Sequence, residues 1–109
     1  MAALVQDIAT SGVTAELKAV FGNQPVNFDP LAIRAVEAAM ADHGLPAFTM
    51  VSGAGHDAVN LAPLMPTAMI FVPSKDGLSH NPAEYTPDAD CVLGAGLLLG
   101  AIRHLDRLL

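Results

Sequence analysis

Residues 50–86, MVSGAGHDAVNLAPLMPTAMIFVPSKDGLSHNPAEYT, decide how the rest of the chain is read. Two polar, glycine-containing loops, 52–57 and 74–84, flank an apolar run, 67–72, that reads as a buried strand. A hydrophobic strand with ionisable loops at its mouth is a common way for an α/β protein to carry a site. The scaffold holds the loops rigid and leaves their side chains accessible.

Working outward, Asp29 can cap and Pro30 can open a helix, since a first-turn residue has no use for an amide hydrogen. Ile33, Val36 and Met40 then share one stripe, with Arg34 and Asp42 elsewhere. Gly44 stands where a left-handed cap belongs, and Pro46 blocks continuation. On the other side, Thr86 can cap and Pro87 can start a helix running to about Leu108, with Asp88 and Asp90 near its positive end. Its first half, CVLGAGLLLGAI, is apolar on nearly every side and predicts burial between layers. Gly96 and Gly100 admit another backbone closely, read here as packing on a sheet with membrane-type helix pairing as the alternative. Arg103, His104 and Arg107 suit the negative end of this helix, His104 as a solvated residue.

Before these elements, residues 2–10 are helix-permissive and Ser11-Gly12 breaks the pattern. Residues 13–21 alternate, with Val13, Ala15, Leu17, Ala19 and Phe21 on one side, as a half-buried strand does. Gly22, Asn23 and Pro25 mark a module boundary. The order helix, strand, helix, loop, short helix, strand, loop, helix predicts an α/β layered fold. Two or three strands make a poor sheet by themselves, so the fold reads as incomplete.

Composition narrows the function classes. The chain has 109 residues, the length of one small domain. It is 52% hydrophobic and 15% charged, with mean hydropathy +0.44, so either the core is rich or some apolar surface expects a partner. Eleven acids against five bases, a formal charge of −6, argue against nucleic acid as a partner, because that affinity rests on clustered Lys and Arg. The longest apolar stretch, 91–102, falls well short of the roughly 20 residues a membrane-spanning helix needs. MAALVQDIAT has an acid and no basic region, so no signal peptide is expected and the cytoplasm is the expected address. The single cysteine, Cys91, excludes an internal disulfide and reads as a small buried hydrophobe.

The chemistry-bearing residues sit in the two loops. In SGAGHDA, Gly53 and Gly55 permit unusual backbone conformations and close ligand approach, and Asp57 can cap a helix over about 58–64. From the residues alone this is either a tight turn before a helix, with His56 on the surface, or an anion-binding loop. In SKDGLSHNPAEYT, residues 75–77 read as a turn. His80 stands between Ser79 and Asn81, which can orient an imidazole, and Glu84 is near enough in sequence to be its partner. One histidine is not a zinc site, which usually takes three protein ligands, so His80 is either an exposed or structural histidine or one donor among several.

Taken together, MVSGAGHDA, then PTAMIFVPSKDGLSHNPAEYT, then an apolar helix resemble the C-terminal part of the M20-type metal-dependent amidohydrolases. The group meant contains N-carbamoyl-L-amino-acid hydrolases, allantoate amidohydrolases and β-ureidopropionases. The likeness reaches back through PVNFDPLAIRAVEAAMADHGLP and so covers nearly the whole chain. It implies a two-zinc catalytic domain, with helices on a small mixed sheet, carrying an inserted lid domain that commonly mediates dimerisation. Residues 1–25 would be the last helix and strand of the lid, and 26–109 the final part of the catalytic domain. By the same resemblance His80, in GLSHNPAE, would bind a metal. Gly55 would contact substrate through its backbone, His56 would be its polar neighbour in the pocket, and Asp57 and Glu84 would support them.

The implied reaction is hydrolysis of a ureido or carbamoyl C–N bond, with zinc supplying Lewis acidity and an activated water. The family's other ligands and its catalytic glutamate lie in an N-terminal region that this chain lacks. Accordingly the chain alone is expected to be inactive, with that region as its missing partner. The alternatives are a subunit complementing a separate N-terminal part and a retained non-catalytic binding or interaction module. A homodimer is compatible with either.

Overall fold

The computed structural model describes residues 24–109, with residues 8, 10–16, 18 and 22 before them. Of the expected helix over 2–10 only residues 8 and 10 are described, and of the expected strand over 13–21 residues 13–16 and 18 are described and carry no ladder; the rest of both lies outside the described residues. Around the break between them, Ser11 donates its amide and hydroxyl hydrogens to Ile8 O, and Gly12 has φ +78°. In the described part the elements are α1 (Pro30–Asp42), α2 (Ala58–Leu61), a 3-10 turn (Lys75–Gly77) and α3 (Asp88–Asp106).

Helix α1 forms where its local signals put it. The Asp29 carboxylate accepts from Leu31 N at 2.7 Å and Ala32 N at 3.3 Å, satisfying two of the orphan donors of the first turn. Its other end closes as a Schellman motif. Gly44, at φ +68°, donates to Ala41 O, and Leu45 N reaches back to Met40 O, both at 2.9 Å. Pro46 follows.

The face that α1 buries is not the one read from Ile33, Val36 and Met40. Ala32, Ala35 and Ala39 are buried, and the larger three are half-buried. The reason is α3. A Cβ built on Gly100 would stand 3.0 Å from Ala39 Cβ, and one on Gly96 would stand 3.6 Å from His43 Nε2. Gly96 and Gly100 therefore receive α1, not a sheet. Gly94 is the glycine that meets the 67–72 run, its hypothetical Cβ falling 2.6 Å from Val72 Cγ1. Around Ala39, Leu97 and Ala101 pack Val36, Met40, Leu45, Ile70 and Leu93, which together form the core.

Four further expectations change here. Thr86 does not cap α3: its hydroxyl donates to Pro73 O at 2.8 Å, and the N-cap position is Pro87, which has no side-chain acceptor. Helix α3 is not enclosed between layers, since only Leu97 and Ala101 are buried while Val92, Leu98, Leu99 and Ile102 are exposed. Cys91 is exposed as well. His104 is not merely solvated. Its Nε2 lies 2.7 Å from Asp42 Oδ2, tying the end of α3 to the end of α1.

The 67–72 run carries neither helix nor β-ladder, and no strand occurs among the described residues. It is held at its ends instead. Asp29 N donates to Thr67 O at 3.1 Å, and Val72 packs at Gly94. No helix among the described residues is long and apolar enough to cross a membrane.

Candidate functional site

The 74–85 loop is built outward from a closed base. Thr86 Oγ1 bonds to Pro73 O, and Lys75 N donates to Tyr85 O at 2.8 Å, so the two stems of the loop are tied where they leave the core. Within it, Ser74 Oγ donates to Leu78 O at 2.6 Å across the 3-10 turn. Asp76 and Gly77 turn the chain at φ 57° and 67°, as the Lys-Asp-Gly sequence predicts.

At the tip stands His80, exposed and at φ 58°. A residue bearing a Cβ adopts this left-handed conformation at a cost of roughly 1–2 kcal/mol, so something must hold it there. Glu84 does: its Oε2 accepts the His80 amide hydrogen at 2.8 Å. Glu84 therefore grips the backbone of His80 and not its ring. The ring is met by Ser79, whose Oγ lies 2.6 Å from His80 Nδ1. Nε2 has no hydrogen-bond partner among the described residues, and it is open to a ligand. Asn81 serves the loop, its Oδ1 accepting from Ala83 N at 2.9 Å.

The 52–57 loop leads into α2. Neither Gly53 nor Gly55 has a positive φ, and a Cβ at either position would meet open space. Their use is thus room beside the main chain, not a special turn. Asp57 makes no capping bond and has helical torsions, φ −60° and ψ −25°. The cap is His56 instead: Ala58 N donates to His56 Nδ1 at 3.0 Å. An amide N–H can only donate, so Nδ1 must hold a lone pair, and the proton of the neutral His56 ring sits on Nε2. Nothing in the sequence marks this, because histidine is not a customary N-cap residue. Helix α2 ends at Leu61, short of the expected 64.

His56 and Cys91 lie on the wall of an apolar groove of ≈ 580 Å³ between α1, α3 and the 67–72 run, otherwise lined by residues such as Ala35, Ile70, Leu98 and Ile102. On the other side of the run a smaller cavity of ≈ 120 Å³ is bounded by Phe28, Phe48, Met50 and Phe71. The two histidines of the loops thus differ in what they offer. His56 presents an N–H for an oxygen acceptor, and His80 presents a ring nitrogen without a partner. Among the described residues no group of three or more His, Cys, Asp or Glu could hold a metal ion. The donor chemistry of His80 fits one ligand of a centre, and no such group forms around it among the described residues.

Residues 3–104 match the family described as Peptidase family M20/M25/M40. An N-carbamoyl-L-amino acid amidohydrolase of Geobacillus stearothermophilus is 44% identical over 81 residues, which are 74% of this chain and 20% of that protein. A second N-carbamoyl-L-amino-acid amidohydrolase, from Rhizobium meliloti, is 41% identical over 84% of the chain and 22% of its own length. An allantoate amidohydrolase of Bacillus subtilis is 38% identical over 96% of the chain and 26% of its length. The chain spans between a fifth and about a quarter of the length of these relatives.

Proposed function

The chain belongs to Peptidase family M20/M25/M40, and from that premise we propose that it is the C-terminal part of a metal-dependent amidohydrolase acting on carbamoyl or ureido C–N bonds, inactive by itself. Members of this family are generally metal-dependent, and the named relatives are amidohydrolases of carbamoyl amino acids and allantoate. The observation that carries the reading is His80: exposed, held at a left-handed φ, one ring nitrogen engaged and the other open.

In this reading His80 supplies one ligand to a zinc centre completed by the N-terminal part of the enzyme. When bound, zinc supplies Lewis acidity toward the carbonyl and an acidified water. The chain's own contribution is to position. The backbone beside Gly55 contacts the substrate, and the Nε2–H of His56 donates to an oxygen of the carbamoyl compound or its carboxylate. Glu84 keeps the His80 loop in place through the backbone of residue 80, and Asp57, whose carboxylate makes no capping bond, has no such holding role. Residues 1–25 are the end of a lid domain, and the 67–72 run is a strand of a mixed sheet whose neighbours come from the rest of the enzyme. That last point is supported by the run's lack of a ladder and by the exposed apolar residues on α3. The cytoplasm is the proposed compartment.

Complementation tests this. The chain is co-expressed with the Geobacillus carbamoylase truncated before its matched segment, and hydrolysis of an N-carbamoyl amino acid is assayed. The complex is expected to be active, the chain alone inactive, and the complex with His80→Ala inactive. Zinc-dependent hydrolysis by the purified chain would overturn the reading, as would an active complex indifferent to His80→Ala. A stable, inert monomer that never joins the N-terminal part would instead mark a binding module.

A further inference from the structure

We propose that Ser79 and Glu84 are positioning residues that set the His80 ring before any metal arrives. Ser79 accepts the Nδ1 proton, so that Nε2 presents its lone pair, and Glu84 holds residue 80 in the left-handed conformation. This rests on reading His80 as a metal ligand. A neutral imidazole carries one proton, and a metal takes the nitrogen that lacks it. A partner that accepts from one nitrogen leaves the other to the metal, and a hydroxyl, able to donate or accept, takes the accepting role in the arrangement proposed here. That partner is the adjacent serine hydroxyl, at 2.6 Å from Nδ1, and no carboxylate among the described residues reaches the ring.

The spacing of His80 and Glu84 follows from a turn, not a helix. Glu84 N donates to Asn81 O at 2.9 Å, closing a four-residue turn with Pro82 at its second position, where a fixed φ is favoured. The turn brings the Glu84 side chain back to the amide of residue 80, where a carboxylate accepts a charge-assisted bond at 2.8 Å. With φ held at 58° the ring is exposed. Serine and glutamate thus act on different parts of one residue, the ring and the backbone.

The test is a spectroscopic one on the metal-free, ¹⁵N-labelled 109-residue chain, at a pH where the ring is neutral. Long-range ¹H–¹⁵N correlations of His80 are expected to show the proton on Nδ1 in the parent chain. Ser79→Ala should move it mainly to Nε2, and Ser79→Thr, which keeps a hydroxyl, should restore it to Nδ1. For Glu84, amide hydrogen exchange at His80 should be several-fold faster in Glu84→Ala and little changed in Glu84→Gln, whose side-chain oxygen still accepts. A parent chain with the proton on Nε2, a Ser79→Ala spectrum like the parent's, or exchange at His80 indifferent to Glu84→Ala would each overturn the proposal. Because no metal is present, these results are independent of the ligand role. If instead the Ser79 dependence holds while His80→Asn leaves the zinc content of the complemented complex unchanged, the ligand reading fails and the positioning stands.

Discussion

His80 and His56 look alike in the sequence, each in a short loop beside small residues, and the structure gives them opposite tasks. His80 keeps an unpartnered nitrogen at a strained backbone position, and strain of that kind persists where surrounding contacts over-determine it. Asparagine tolerates the left-handed region. His80→Asn is therefore expected to keep the thermal midpoint of the chain within a few degrees while lowering activity of the complemented enzyme by more than about 100-fold, beyond the range typical of outer-shell changes. For His56, the bond from Ala58 N predicts a split between two variants. His56→Asn can still accept that amide hydrogen, so protection of Ala58 from exchange should survive, whereas His56→Ala should lose it, with local destabilisation of about 1 kcal/mol. Both should weaken substrate binding, since neither carries the Nε2–H.

At the level of elements, two glycines of α3 test what each one touches. Gly96 has only ordinary contact with His43, so Gly96→Ala gains helix propensity without a clash and should raise stability by about 0.5–1 kcal/mol. A Cβ on Gly94 would stand 2.6 Å from Cγ1 of Val72, a stiff β-branched side chain, and Gly94→Ala should lower stability by about 1–3 kcal/mol through overpacking. Thermal unfolding of the two variants beside the parent chain checks both signs. Helix α1 was legible because its signals are local: Asp29, Pro30, Gly44 and Pro46 act on neighbours a few residues away. Thr86 and Asp57 looked equally local, yet Thr86 is drawn across the loop base to Pro73, and the cap of α2 comes from His56. The partner of Gly96 and Gly100 could not be read from spacing, because a sheet and a helix of alanines ask for the same small residues. The role of Glu84 was half legible, since its distance from His80 was right and its target, backbone in place of ring, depends on the Asn81-Pro82 turn. The 67–72 run reads as a strand by composition, but a strand is completed by its neighbours, and no ladder partner stands among the described residues.

For the whole molecule, the core is small for so apolar a chain. Its buried hydrophobic residues are four alanines in α1 and α2, with Leu97 and Ala101 in α3, and no large side chain is fully buried among the described residues. Phe48 and Val51 are 82% and 91% exposed, and α3 shows Val92, Leu98, Leu99 and Ile102 to solvent. Burying one such side chain contributes about 1.5–3 kcal/mol, so this surface favours association with a complementary part. The chain alone is expected to self-associate on sizing and to bind a hydrophobic dye strongly, and its complex with the N-terminal part of a relative should do neither; equal dye binding by both would count against this exposed apolar surface as the shared face. The central claim, that His80 completes a metal centre whose other ligands come from outside this chain, is tested most directly by zinc analysis after gel filtration of three samples: the chain alone, the complemented complex, and that complex with His80→Asn. The account predicts no retained zinc in the first, zinc in the second, and clearly less in the third. Stoichiometric zinc on the chain alone, or equal zinc in the two complexes, would contradict it.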